Sequence, residues 1–344
     1  MDRARVRELM DQFESHTAGA ITIGVLAVAD RAGILQELRA AGTVRPADLA
    51  DRFDERMVAE ILAALAAGGI LEYSEGAFSF SEEMAAVLAD ESSPYLLAGW
   101  LDAIPAAMES IDDVAKATVE GGGVPLTSYD DRVVKGIDRL NSPGTKLLLT
   151  KRWLPAMPDV VARLEAGARV ADLGCGSGTA ALTMAAAYPK SDVYGYDIDE
   201  RAIDVAAARA RRSGLPNISF ERRPLEELPS GFDLVTTFDV VHDLSHPQAA
   251  LAHIRRSVMA DGVYLMMEPA AAPSLEENLH QRGATIIGFS VLFCLPQSLV
   301  GGGLGLGAAW GPVRARELCA QVGFTRFEQL PIENPYSNFY RIEP

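Results

Sequence analysis

At 344 residues the chain is longer than one compact core of ordinary size, so two domains are expected. Its 49% hydrophobic and 23% charged residues exclude a disordered polymer. A formal net charge of −16 repels phosphate backbones and anionic membrane surfaces, which favours a small-molecule enzyme over a partner of nucleic acid or membrane.

Residues 1–14 are densely charged and lack the apolar core of a secretion signal. The apolar run 18–29 is too short to span a bilayer and is expected as a buried helix. Cys175, Cys294 and Cys319 form no CxxC pair and no zinc spacing, so a reducing cytoplasm is expected rather than a disulfide framework.

Residues 3–39 read as helical. Residues 46–53 form a short helix with proline in its first turn. Glu55–Ala67 sets Val58, Ile61, Leu62 and Leu65 on one face of a second helix, which Gly68-Gly69 ends. Strands are expected at 70–73 and 77–80, around a turn at Ser74-Glu75-Gly76. Helix, helix, hairpin is the order of a winged helix. The helix that would enter a DNA groove carries Asp54, Glu55, Arg56 and Glu60, after Asp51 and Arg52, and the wing turn holds Glu75. Phosphate contacts would be poor, so residues 1–95 are expected to serve dimerisation or substrate covering. The apolar helix at 21–29 suits a two-fold interface, and the expected assembly is a homodimer.

Residues 96–155 read as a helical connecting and lid segment, broken at the glycines of 121–125. From residue 156 short apolar strands alternate with helices, an α/β pattern with a parallel sheet. The strands are Arg169–Leu173, Asp192–Asp197, Ile218–Arg222, 233–238 and 263–268, with two more at 327–331 and 338–342. The glycine cluster 301–307 reads as a flexible or tightly turning loop.

Val170-Ala171-Asp172-Leu173-Gly174-Cys175-Gly176-Ser177-Gly178-Thr179 carries the functional argument. An apolar strand enters a glycine turn, and a helix with unpaired N–H groups starts directly after it. The spacing is G-x-G-x-G; the third glycine of a dinucleotide fingerprint would fall at Thr179. Asp172 would oppose a pyrophosphate but attract an ammonium and a sulfonium. Asp197 ends the second strand, where a carboxylate can accept hydrogen bonds from both hydroxyls of a ribose.

Residues 172–178 with Asp197 resemble the cofactor site of class I S-adenosylmethionine-dependent methyltransferases. The resemblance implies a Rossmann-like seven-stranded sheet with the last strand antiparallel, and S-adenosylmethionine as cofactor with S-adenosylhomocysteine as product. It implies cofactor contacts at Asp172, Gly174, Gly176, Gly178, Asp197, Ile198, Leu225, Phe238 and Asp239. The run 238–247 is similar to a D-x-x-H-D…P stretch of the family, where the methyl end faces the substrate, and Asp261-Gly262 is similar to the turn before its fifth strand. More narrowly, stretches 121–125, 274–279 and 298–311 resemble bacterial two-domain proteins that join a winged helix to this fold. The acid expected to contact adenine after the third strand is missing: Pro224 stands there, which leaves backbone groups near Leu225, or Glu226.

His242 is the first candidate base, since imidazole titrates near neutral pH. Asp243 would orient it or touch substrate. The alternative is a His242 that packs under the cofactor or positions substrate. His246, before Pro247, is expected to cap a helix, and His280 to lie on a helix facing substrate or solvent. Glu268, at the tip of the fifth strand, would bind substrate or complete a hydrogen-bond network; its alternative is a solvated strand end. Tyr129, Phe289, Phe293 and Trp310 would line an apolar or aromatic substrate site, with Cys294 in the same segments. No partner base for Cys294 is visible, and Cys175 reads as a small filler. No His/carboxylate pair shows ligand spacing, so no metal is expected. The expected reaction is methyl transfer to a metabolite, at oxygen before carbon or nitrogen. A ligand-sensing transcription regulator and a non-methylating reaction such as a cyclisation are the rivals.

Overall fold

A computed structural model describes residues Met1–Pro344. The chain divides into two compact units, one of Met1–Ala106 with Asp131–Pro143, the other of Ala107–Asp130 with Gly144–Pro344. The stretch 96–155, expected as one connecting segment, is therefore shared between the two units.

In the first unit, α1 (Arg3–Ala32) starts at Asp2, whose side chain accepts the N–H groups of Ala4 and Arg5. The expected single helix breaks at Gly33, which sits at φ 84° and hands the chain to α2 (Ile34–Ala41) at a bend of 80°. Glycine takes that left-handed conformation at little cost, and the carbonyl ladder ends there. Leu26, Ala27 and Ala29 pack into the unit's own core with Leu35 and Leu38. Much of the run 21–29 is thus occupied at home, and the exposed apolar residues of α1 are Leu9, Met10, Phe13, Ile21 and Val28.

The strand β1 (Thr43–Val44) has only two residues and no readable period. A helical turn, Pro46–Leu49, leads to α3 (Glu55–Ala67), capped by Asp54 on Met57 N–H. Val58, Ile61, Leu62 and Leu65 are buried, worth about 1.5–3 kcal/mol for each large side chain. The hairpin β2 (Glu72–Ser74) and β3 (Ala77–Ser79) turns at Glu75-Gly76 and completes a sheet of order β1-β3-β2. This is the element order of a winged helix, and α4 (Glu82–Leu88) follows. Most of α5 (Trp100–Met108) and of α7 (Arg132–Leu148) also belongs to this unit, while α6 (Ile111–Glu120) belongs to the other. Within the first unit, Arg139 binds Asp30, Glu91 and Asp102 together.

The second unit is built on seven strands: β4 (Arg169–Leu173), β5 (Asp192–Asp197), β6 (Ile218–Arg222), β7 (Phe232–Phe238), β8 (Val258–Pro269), β9 (Arg326–Gln329) and β10 (Ser337–Glu343). Their order is β6-β5-β4-β7-β8-β10-β9, with β10 antiparallel to both neighbours and the first five strands parallel. Helices α8 (Pro158–Ala166), α9 (Thr179–Ala187), α10 (Glu200–Ser213), α11 (Pro247–Ser257), α12 (Gln281–Phe289) and α13 (Gly311–Gln321) accompany the sheet. Val170 joins one core cluster with Met184 and Leu265, while Ala171 and Leu173 join another with Leu251 and Tyr264. That two-residue alternation shows a central strand buried on both faces. The strand order runs outward in both directions from β4 and β7, so a crevice opens at their carboxyl ends. No single helix is long and apolar enough to cross a membrane.

Candidate active site

The loops after β4, β5, β7 and β8 meet at that crevice. Asp172, one residue before the end of β4, is 1% exposed. Its Oδ1 accepts the Thr236 hydroxyl at 2.8 Å, while Oδ2 has no hydrogen-bond partner. Burial, with a smaller push from the nearby Asp197, raises this carboxyl to about 7. Asp197, at the tip of β5, accepts the N–H of Gly176 at 2.8 Å and that of Asp199 at 2.9 Å. Burial raises its carboxyl as well. Two acids that each resist ionisation would be shifted toward their carboxylate forms by a cationic ligand.

The three glycines of the turn have different reasons to be glycine. A Cβ at Gly174 would meet Val240 at 2.7 Å, and one at Gly178 would meet the Phe220 ring at 2.5 Å. Only Gly176 would point a Cβ into open space. The resemblance implies cofactor contact at all three; at Gly174 and Gly178 it is the protein itself that excludes a Cβ. Cys175 packs near Gly195, as a small filler does. Thr236 was missed by sequence reading, although a threonine in an apolar strand paired with Asp172 was the available signal.

Ile198 is exposed beside Asp197. Leu225 opens a helical turn, Leu225–Glu227, whose first N–H groups have no partner inside the turn. Phe238 packs on Trp153, and Asp239 holds a left-handed backbone at φ 56° with its N–H on Met267 O. The buried acceptor of Asp172, the sugar-type acceptor pair of Asp197 and the open face of Gly176 fit S-adenosylmethionine.

Past β7, the turn Val241–Asp243 carries His242, which is 4% exposed. His242 Nδ1 lies 2.7 Å from Glu268 Oε2. Glu268 also accepts the N–H of Val241 at 2.9 Å and that of the Trp310 indole at 3.2 Å. Glu268 is 1% exposed, so it and Trp310 stand behind His242 as its support, and neither faces solvent where a substrate would meet it. The sequence suggested substrate contact for Trp310, and for Glu268 either substrate binding or completion of a hydrogen-bond network, of which the network is what the structure shows. Burial opposes a charge on His242, but the Asp243 and Glu268 carboxylates outweigh it and hold the imidazole well above its ordinary value.

His242 Nε2 lies 3.2 Å from Asp243 Oδ1, out of line for a hydrogen bond, since that oxygen has no hydrogen-bond partner. Cys294 ends a π-turn, Ser290–Cys294, and its sulfur belongs to the same cluster. Burial pushes its thiol up to about 12. Nothing in the sequence joined Cys294 to His242. Tyr129 packs edge-on against Phe293 at 4.9 Å between centroids, and Phe289 follows at 5.8 Å. The Tyr129 hydroxyl is buried without a partner. His246 occupies the first cap position of α11 but its side chain makes no capping bond. His280 caps α12 instead of lying on it, accepting the Gly283 N–H at 3.1 Å.

Residues 164–290 match the family model described as a methyltransferase domain. The chain is similar to the uncharacterized methyltransferase YcgJ of Bacillus subtilis, at 29% identity over 121 residues, 34% of this chain and 47% of that protein. It is similar to a trans-aconitate 2-methyltransferase of Deinococcus radiodurans, at 33% over 103 residues, 30% of this chain and 38% of that protein. It thus spans less than half the length of these two curated relatives. The solved structure of mitomycin 7-O-methyltransferase MmcR superposes with a TM-score of 0.70 at 18% identity, covering 99% of each chain. Human N-acetylserotonin methyltransferase, in complex with S-adenosylmethionine, gives 0.68 at 19%, covering 100% of this chain and 98% of that one. Residues 164–290 thus carry a methyltransferase domain, and the chain as a whole shares the two-domain fold of these solved methyltransferases, an N-terminal helical unit joined to a Rossmann-like sheet.

Proposed function

We propose that this protein methylates an oxygen of a small molecule, with His242 as general base. The observation that carries the reading is the 2.7 Å pair of His242 and Glu268 at the transfer end of the crevice. S-adenosylmethionine, when bound, supplies an electrophilic methyl group on a sulfonium. Asp172 faces the ammonium of its amino-acid part, Asp197 takes the sugar hydroxyls, and the N–H groups of the turn at Leu225 and Glu226 meet the adenine. Gly174, Gly178, Ile198, Phe238 and Asp239 complete the cofactor contacts. Glu268 holds the proton on Nδ1, and once the imidazole, favoured as its cation by the two carboxylates, gives up its second proton, Nε2 can take the proton of a substrate hydroxyl. Asp243 orients the reacting group, and Trp310 fixes Glu268.

Tyr129, Phe289 and Phe293 offer ring faces and edges, which suit a flat, aromatic alcohol. Oxygen as acceptor has support from the name of mitomycin 7-O-methyltransferase, whose fold this chain shares. The acidic surface of α3 speaks against a DNA-binding regulator. The reading includes a homodimer through the exposed apolar face of α1, and a cytoplasmic setting, where three free cysteines stay reduced. The test is turnover of a panel of phenols with the cofactor, followed by mass spectrometry. A gain of one methyl, lost in His242→Ala while S-adenosylhomocysteine still binds, is the expected result. Absence of any affinity for S-adenosylhomocysteine would overturn the reading.

A further inference from the structure

We propose that His242, Asp243 and Cys294 form a three-donor site for a thiophilic divalent cation, with Zn²⁺ as the natural occupant. A ring nitrogen of His242, a carboxylate oxygen of Asp243 and Sγ of Cys294 all lie within 4.8 Å of one another. They come from two elements with defined geometry, the turn Val241–Asp243 and the π-turn Ser290–Cys294. π-turns inside helices recur at functional sites, because they displace one side chain out of register.

Three further observations point to an ion. Asp243 Oδ1 is buried and accepts no hydrogen bond, and its ion-pair partner is the His242 ring, whose Nε2 proton a metal cation would replace. Its separation from His242 Nε2 is 3.2 Å. Two donors held at about 2.0 Å from a tetrahedral zinc stand roughly 3.3 Å apart, so the pair already has the spacing of two corners. Finally, Glu268 accepts from His242 Nδ1 at 2.7 Å and is itself fixed by the Val241 N–H and the Trp310 indole. A carboxylate behind a ligating histidine is the outer support that metal sites use to fix the tautomer and turn the other lone pair toward the ion.

The donor set selects the metal. One sulfur and one imidazole suit Zn²⁺ or Co²⁺, whereas Mg²⁺ and Ca²⁺ require oxygen cages. Binding would release the Cys294 thiol proton to solvent, since the thiolate is the ligand. Three protein donors leave a fourth position open, the pattern of a reactive site and not of a closed structural one. Sequence spacing hid the set because two donors are adjacent and the third arrives from a distant element.

An ion on Nε2 takes the lone pair that proton abstraction needs. The bound cation would therefore inhibit methyl transfer, and this consequence, unlike the site itself, rests on the base role proposed above.

The experiment is a Co²⁺ titration of the chelator-treated full-length chain. One equivalent should give a thiolate-to-cobalt band in the near ultraviolet and the visible bands of tetrahedral cobalt, and Zn²⁺ should displace it. Cys294→Ser should remove the near-ultraviolet band, and Asp243→Asn should weaken Co²⁺ binding at least tenfold. Circular dichroism and retained S-adenosylhomocysteine binding show that both variants fold. A wild-type chain with no one-equivalent band, a pocket holding a proton alone, overturns the site, as does an unchanged band in Cys294→Ser. Co²⁺ binding that leaves turnover intact keeps the site and overturns the base role.

Discussion

Asp197 Oδ2 accepts the backbone N–H of Gly176 at 2.8 Å and so ties the tip of β5 to the glycine turn after β4. The same carboxylate receives the Asp199 N–H at the start of α10. Each oxygen still has a lone pair for a sugar hydroxyl. Asp197→Ala should therefore loosen the turn and remove the sugar acceptors together. Hydrogen bonds to charged groups are worth about 1.5–3 kcal/mol, so S-adenosylhomocysteine affinity should fall roughly ten- to a hundredfold. Calorimetry decides this, and an unchanged dissociation constant would move the sugar elsewhere.

If Asp172 faces the cofactor's ammonium as proposed, cofactor affinity should depend on pH. Burial raises its carboxyl to about 7, so below that pH the free protein carries a neutral acid. An ammonium placed near it favours the carboxylate and lowers the value in the complex. Binding should then release a proton, and affinity should climb from pH 5 to about pH 7 before levelling off. Titrations in buffers of different ionisation enthalpy report the proton directly. Asp172→Asn should bind more weakly at pH 8 and show a flat profile. A wild-type profile without slope across this window would mean that Asp172 is already ionised in the free protein.

The parts of this molecule that were legible in the sequence are those governed by local periodicity. Arg169–Leu173, Asp192–Asp197 and Ile218–Arg222 could be bounded because parallel strands are short, apolar and flanked by turns. The acids at strand tips were legible for the same reason, since strand ends open onto the crevice. The break at Gly33 was not, because an isolated glycine in a helical pattern reads equally as tolerated. β1 was too short to show a period. The support behind His242 was hidden for a different reason. Glu268 looks like a ligand-facing acid from its place on β8, but the turn after β7 folds back and presents Val241 N–H and the His242 ring to it. Such tertiary closure leaves no trace in spacing.

Glu268→Gln preserves size but loses the charge that holds the Nδ1 proton. General base catalysis contributes roughly 10²–10⁴ in rate, and mis-set orientation forfeits part of it. Turnover should drop about ten- to a hundredfold, with KM and S-adenosylhomocysteine affinity near those of the wild type. Trp310→Phe removes one of the three donors on Glu268 and should cost less, about two- to tenfold. If Glu268→Gln turns over at the wild-type rate, His242 does not depend on this carboxylate and is a packing residue.

The N-terminal helix sets the last expectation. None of the residues of α1 before Leu26 is buried, yet Leu9, Met10 and Phe13 are apolar and exposed there. Isolated helices are marginal in water, and a helix this long with an uncovered apolar edge needs a partner surface. A second copy offers the same edge in a two-fold arrangement. Burying a Leu or Phe side chain is worth about 1.5–3 kcal/mol, so Leu9→Glu with Phe13→Glu should weaken the dimer by at least about a hundredfold. Light scattering at micromolar concentration should show the mass of two chains for the wild type and of one chain for the variant. Helicity of the variant should fall as well, because its first turns lose their cover. A wild-type protein that remains a monomer at that concentration would leave this edge to another occupant and remove the dimer from the proposed function, with the cofactor site untouched.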